Sequence, residues 1–195
     1  MATGSGKTVV MAMLIAWNTL NKLASPQDAR FGDTFLIVTP GITIRDRLRV
    51  LLPSDAENYY RQRDIVPAHF LEQLGQAKIL ITNYHAFGLR EKVSAGKITK
   101  SILAEGQASP FTETPDQMVR RVCRELGTKK NIIVLTDEAH HCYRRKPDAE
   151  EEILTGDDRM EARIWISGLE AVQSKIGVKA IYDLSATPFF LRGSG

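Results

Sequence analysis

Ala2-Thr3-Gly4-Ser5-Gly6-Lys7-Thr8 opens the chain and runs straight into Val9-Val10-Met11-Ala12-Met13-Leu14-Ile15-Ala16-Trp17. Glycines at 4 and 6 let successive backbone N–H groups turn inward around anionic oxygens. A helix beginning directly after them adds the positive end of its dipole. In a loop of this pattern the lysine reaches the β- and γ-phosphates of a nucleotide, and the following threonine hydroxyl holds Mg²⁺. The full pattern G-x-x-x-x-G-K-[ST] wants glycine at position 1, where Met1 stands, but the core from Gly4 to Thr8 is intact. The run 9–17 is apolar on every side, which predicts a buried helix. Two duller readings compete: a flexible Gly/Ser turn with an incidental lysine, and a signal peptide with Lys7 as its charged region.

Outward from the loop, four short runs are nearly continuous in apolar and β-branched residues: 34–38, 78–82, 131–136 and 179–184. Continuous rather than alternating hydrophobicity predicts strands covered on both faces, as in a parallel sheet. Helix-compatible stretches lie between them, at 8–24, about 44–52, 68–74, 116–126 and 159–176. Strands alternating with helices predict an α/β layered domain with a mostly parallel sheet flanked by helices. Ligands of such sheets sit beyond the carboxyl ends of the strands. Each run here exits into polar or turn-forming residues: Thr39-Pro40-Gly41, Asn83-Tyr84-His85, Asp137-Glu138-Ala139-His140 and Ser185-Ala186-Thr187-Pro188. The four exits are therefore expected to converge on one edge.

The 195 residues make one large domain, with a surface excursion expected over 88–130 and an exposed acidic loop over 146–158. A hydrophobic share of 43% beside 25% charged residues is that of an ordinary globular protein, and no apolar run is long enough to span a bilayer. The net charge of +3 tolerates a polyanionic partner without requiring one. Cys123 and Cys142 offer no disulfide framework, so a reducing, cytoplasmic setting is expected.

Asp137-Glu138 follows the apolar strand run directly. Two adjacent carboxylates there are costly unless a cation or a proton-transfer role offsets them. With the loop in the same chain, Asp137 is a candidate ligand for the Mg²⁺ that Thr8 also holds, and Glu138 a candidate base for an attacking water. The plainer alternative is a pair of solvated acids at a loop start.

Residues 2–8, Asp137-Glu138-Ala139-His140 and Ser185-Ala186-Thr187 resemble motifs I, II and III of superfamily 2 helicases and translocases of the DEAH-box kind. Within them the chain is most similar to the Res (ATPase) subunit of type III restriction enzymes. Residues 35–40 resemble motif Ia, and Ile81-Thr82-Asn83-Tyr84 resembles a strand end found before motif II in this branch. The resemblance implies a RecA-like P-loop NTPase domain, the first of two, covering the whole chain. It implies ATP and Mg²⁺ as cofactors, with Thr3, Gly4, Ser5, Gly6, Lys7 and Thr8 around the nucleotide. Lys7 and Glu138 would be catalytic, and Thr8 and Asp137 would hold the metal. His140, Ser185 and Thr187 would couple the nucleotide to a nucleic-acid groove. Thr39, Pro40, Gly41, Arg45, Asn83 and Tyr84 would lie near a bound strand, although Arg45 is equally explained as part of a solvated helix face.

The implied partners are nucleic acid, with DNA favoured over RNA, a second RecA-like domain, and a methyltransferase or nuclease partner; a membrane is not among them. The strand that normally precedes the loop, the segment that recognises adenine and motifs IV–VI are missing from the pattern, so half of a motor, with its sheet lacking a first strand, is expected. Two other classes stay open: a small-molecule kinase, which would leave Ser185-Ala186-Thr187 without a task, and a binding module that holds nucleotide without turnover.

Overall fold

Four strands, all parallel, form the sheet of the computed structural model, which describes residues 6–91, 112–139 and 156–185, and only the backbone of 156–159. They are β1 (Thr34–Thr39), β2 (Lys78–Asn83), β3 (Ile132–Asp137) and β4 (Val178–Leu184), in the spatial order β2-β1-β3-β4. Each begins and ends within one or two residues of its apolar run. The helices are α1 (Lys7–Ala24), α2 (Ile42–Arg47), α3 (Tyr59–Gln62), α4 (Leu71–Leu74), α5 (Pro115–Val122) and α6 (Gly156–Lys175). Single 3₁₀ turns at Leu48–Leu51, Ala68–Phe70, Tyr84–Phe87 and Arg124–Leu126 complete the described residues.

Strand side chains alternate between the two faces, and each face has its own core. Phe35, Ile37, Ile133 and Leu135 face Met11 and Ile15 of α1, with Leu51, Tyr60 and Leu74 closing the layer. Leu36, Val38, Ile132 and Val134 face Met118 and Val119 of α5, Leu126, and Trp165 and Val172 of α6. β1 and β3 are buried at every residue, as continuous hydrophobicity predicted. β2 and β4 are edge strands and are only partly covered; Ile181 is 48% exposed. The first helix departs from expectation too. Met11, Ala12, Ile15 and Ala16 are buried, but Val10, Met13 and Trp17 stand on an open face, Trp17 53% exposed with its ring edge-on to Phe31.

The surface excursion expected over 88–130 is corrected in its described part. α5 starts with a full capping box, Thr114 with Gln117, and Pro115 at its first turn. It buries Met118 and Val119, and Cys123 and Leu126 follow them into the core. Polar residues on its outer side hid this: only one stripe of the helix is apolar. Residues 92–111 lie outside the described residues, as do 146–155 of the acidic stretch; 156–158 open α6.

α6 approaches the turn after β2 closely. A β-carbon on Gly168 would lie 2.4 Å from Cγ of Phe87, closer than atoms tolerate. Trp165, three residues earlier on the same helix, stacks on Tyr84 at 5.2 Å between ring centroids. Arg121 of α5 locks the turn from the other side, donating to the carbonyls of Ala86 (2.9 Å) and Gly88 (3.1 Å) while paired with Glu113. Gly168→Ala should therefore cost about 1–3 kcal/mol, the usual range for overpacking a dense core. Chemical denaturation measures it, and an unchanged midpoint would mean that the helix–turn contact carries no stability.

Candidate nucleotide site

Parallel strands bring all four carboxyl ends to one edge, and α1 begins there. Gly6 takes a left-handed conformation (φ +79°) just before the helix, which a residue with a side chain adopts at a cost. The first turn of α1 has no side-chain cap and no acidic residue. Its free N–H groups and dipole are thus available to an anion. Lys7 is the first residue of the helix, and Thr8, half-buried, the second. Thr3, Gly4 and Ser5 lie outside the described residues.

Lys7 reaches across to the end of β3. Its ammonium hydrogen-bonds Glu138 and lies 3.5 Å from Oδ1 of Asp137, joining residues 131 positions apart. Asp137 is 7% exposed. Burial pushes its carboxyl above the usual carboxylate range; Lys7 pulls it back, and Glu138 adds to the upward push. Desolvation therefore outweighs the lysine, and the site is short of positive charge. Glu138 takes φ +53°, a strained conformation for a side chain of its size. Its amide donates to Oδ1 of Asp137 at 3.1 Å, bending the backbone so that both carboxylates face Lys7. A desolvated, oxygen-only donor with unmet charge is what a hard divalent cation takes, so these residues fit Mg²⁺.

The other sequence-predicted residues divide. Ser185, half-buried, follows β4 directly; its neighbour Leu184 pairs with Asp137 in the sheet register. His140 and Thr187 lie outside the described residues. Thr39 is fully buried, and its hydroxyl donates to the Gly41 carbonyl at 3.0 Å, shaping the exit of β1; Pro40 and Gly41 are half-buried above it. Arg45 is half-buried and paired with Asp46 at 2.9 Å. The Asn83 side chain accepts from the Ala86 amide at 3.2 Å and caps the turn after β2. Tyr84 is 3% exposed, its ring in the core on Trp165, so the ring faces away from any strand crossing the sheet edge. One contact was not foreseen. Thr136, one residue before Asp137, donates its hydroxyl to the Asp183 carboxylate on β4. The available signal was a lone aspartate inside the otherwise apolar run Ile181-Tyr182-Asp183-Leu184.

The family model for the type III restriction enzyme res subunit matches residues 1–190. The chain belongs to that family. Its fold is accordingly the RecA-like P-loop fold, and the family is one of ATP-dependent, helicase-like motor domains that use ATP with Mg²⁺ and act on nucleic acid. No significant match to a curated protein or to a solved structure was found. Among the described residues, no helix is long and apolar enough to cross a membrane.

The raised Asp137 pKa carries a stability consequence for the metal-free protein. A carboxyl with a raised folded pKa binds more protons folded than unfolded, so stability falls as pH rises through that window. The deficit is full above the folded pKa and absent below the ordinary aspartate range. Asp137→Asn removes the charge and keeps an oxygen for the Glu138 amide. In EDTA it should melt higher than the unaltered protein at neutral pH, with the gap closing as pH falls towards 4, an ordinary aspartate value. Thermal melts across pH read this directly; a variant that melts lower at neutral pH would show that the lysine outweighs burial.

Proposed function

We propose that this chain is the ATP-binding half of a nucleic-acid translocase or helicase, with DNA as its track, working in a restriction-modification setting beside a methyltransferase or nuclease partner. The meeting of Lys7, at the start of α1, with Asp137 and Glu138, at the end of β3, carries this reading. One lysine at an uncapped helix start, facing a carboxylate pair, matches the needs of phosphoryl transfer: charge neutralisation, a metal ligand and a base.

On this reading Thr3, Gly4, Ser5, Gly6 and Lys7 hold the phosphates of ATP. Thr8 and Asp137 hold Mg²⁺, which when bound screens the phosphate charge. Glu138 takes the proton from the attacking water. Lys7 is one of its partners, so nucleotide binding draws the lysine to the phosphates and removes that counter-charge from the carboxylate. His140, Ser185 and Thr187 link this site to the groove at the exits of β1 and β2. There Thr39, Pro40, Gly41, Arg45, Asn83 and the backbone of Tyr84 face the strand. A second RecA-like domain supplies the arginine that completes charge stabilisation. The domain spans 1–195 as one unit.

ATP hydrolysis by the protein, alone and with double-stranded DNA, single-stranded DNA or RNA, tests the proposal. Stimulation by DNA is expected; a rate indifferent to every polymer would replace the motor with a small-molecule phosphotransferase. Lys7→Ala should abolish nucleotide binding. Glu138→Gln should bind ATP and lose about 10²–10⁴-fold in turnover, the range for a general base; normal turnover in that variant would remove Glu138 from the reaction.

A further inference from the structure

We propose that Thr136 and Asp183 form a clamp that sets the position of the Asp137–Glu138 carboxylates against the end of β4, with Thr136 as a positioning residue. The proposal rests on the nucleotide-site reading above. Thr136 and Asp183 are direct partners in the β3–β4 register, and the next pair along is Asp137 with Leu184, followed by Ser185. The clamp is thus one residue from the carboxylates on one strand and two from Ser185 on the other.

Thr136 is fully buried, while Asp183 stands exposed on the edge strand. The Thr136 hydroxyl has one proton. It goes to the Asp183 carboxylate, with the Tyr182 carbonyl a distant 3.5 Å away. A hydroxyl–carboxylate bond is about twice as strong as a neutral one. A charged side chain is ordinary on an exposed edge strand; what singles out Asp183 is its contact with the fully buried Thr136 hydroxyl. Side chains alternate along β3, so Thr136 points to the face opposite Asp137 and touches no nucleotide. It acts through the backbone. The chain turns into the left-handed conformation of Glu138 two residues later. Such strain persists only where the surroundings over-determine it, and the clamp pins the strand just upstream. Movement of the Ser185 segment then reaches the carboxylates through β4.

The test is the affinity of the full chain for a fluorescent ATP analogue, measured in Mg²⁺ and in EDTA. The ratio of the two reports how well the metal ligand is placed, whereas a general loss of structure lowers both affinities together. Removing the support of a metal ligand typically costs about 10–100-fold in metal affinity, so Thr136→Val should cut the Mg²⁺ enhancement about tenfold and leave the EDTA affinity unchanged. Thr136→Ser keeps the hydroxyl and should retain the enhancement. Asp183→Ala removes the acceptor at an exposed position and should reproduce the Thr136→Val loss. An enhancement held within about twofold in both Thr136→Val and Asp183→Ala, or lost equally in Thr136→Ser, overturns the clamp. No binding of the analogue by the unaltered chain in either buffer would defeat the nucleotide-site reading itself, a separate result.

Discussion

Asp137 ends a strand on which every residue is buried, and a carboxylate there needs a cation within reach. Lys7 provides it from the far end of the sequence, and only because α1 lies flat on the sheet. Met11 and Ile15, one and two turns into the helix, pack on Phe35, Ile37, Ile133 and Leu135, which fixes where the helix begins. The electrostatics of the site are therefore held by apolar packing some distance away. Even so the balance is incomplete: the Asp137 carboxyl stays above its usual range despite the lysine. On the proposed reading a divalent ion at this edge would offset that deficit.

The two central strands and the two outer ones divide the labour. β1 and β3 are sealed on both faces and hold the geometry still. β2 and β4 are partly open, and their ends lead into the turn after Asn83 and the segment at Ser185. The turn after β2 is braced on two sides, by Tyr84 and Phe87 against Trp165 and Gly168 of α6 and by Arg121 from α5. The end of β4 is tied to β3 through Asp183 and Thr136. The buried central strands thus hold Asp137, and on the proposed reading the edge strands carry the segments that transmit motion.

Much of this was legible in the residues. Continuous apolar runs marked all four strands, because a strand buried on both faces has no reason to alternate. Their shared direction followed from the intervening helices, and the polar exits then placed Lys7, Asp137 and Glu138 at one edge, where they are in contact. What failed were questions of what covers what. Ile181 and Trp17 sit in runs as apolar as those of the core, yet face outward, since hydrophobicity along one segment does not reveal its neighbours. α5 was taken for a surface excursion because Arg120, Arg121 and Asp116 masked the narrow stripe of Met118 and Val119. The resemblance puts Tyr84 near a bound strand, and the 3₁₀ turn capped by Asn83 turns its ring inward onto Trp165, which leaves its backbone for that place.

The inward turn of Tyr84 has a consequence for how a strand would be held on the proposed reading. At the exits of β1 and β2 two side chains able to stack on a base or read its edge are drawn in: the Tyr84 ring is in the core, and the Asn83 carbonyl oxygen caps its own turn. Thr39 spends its hydroxyl on the Gly41 carbonyl. What stands at the surface there is backbone, Ile42, His85 and the half-buried Arg45. On the proposed reading the backbone amides and Arg45 contact phosphates and sugars, and contacts of that kind fix register and orientation but carry no sequence information. A motor that must step along any sequence needs a grip of this kind. Base-specific contacts would tie each step to the letters beneath it and turn a uniform track into a series of unequal wells.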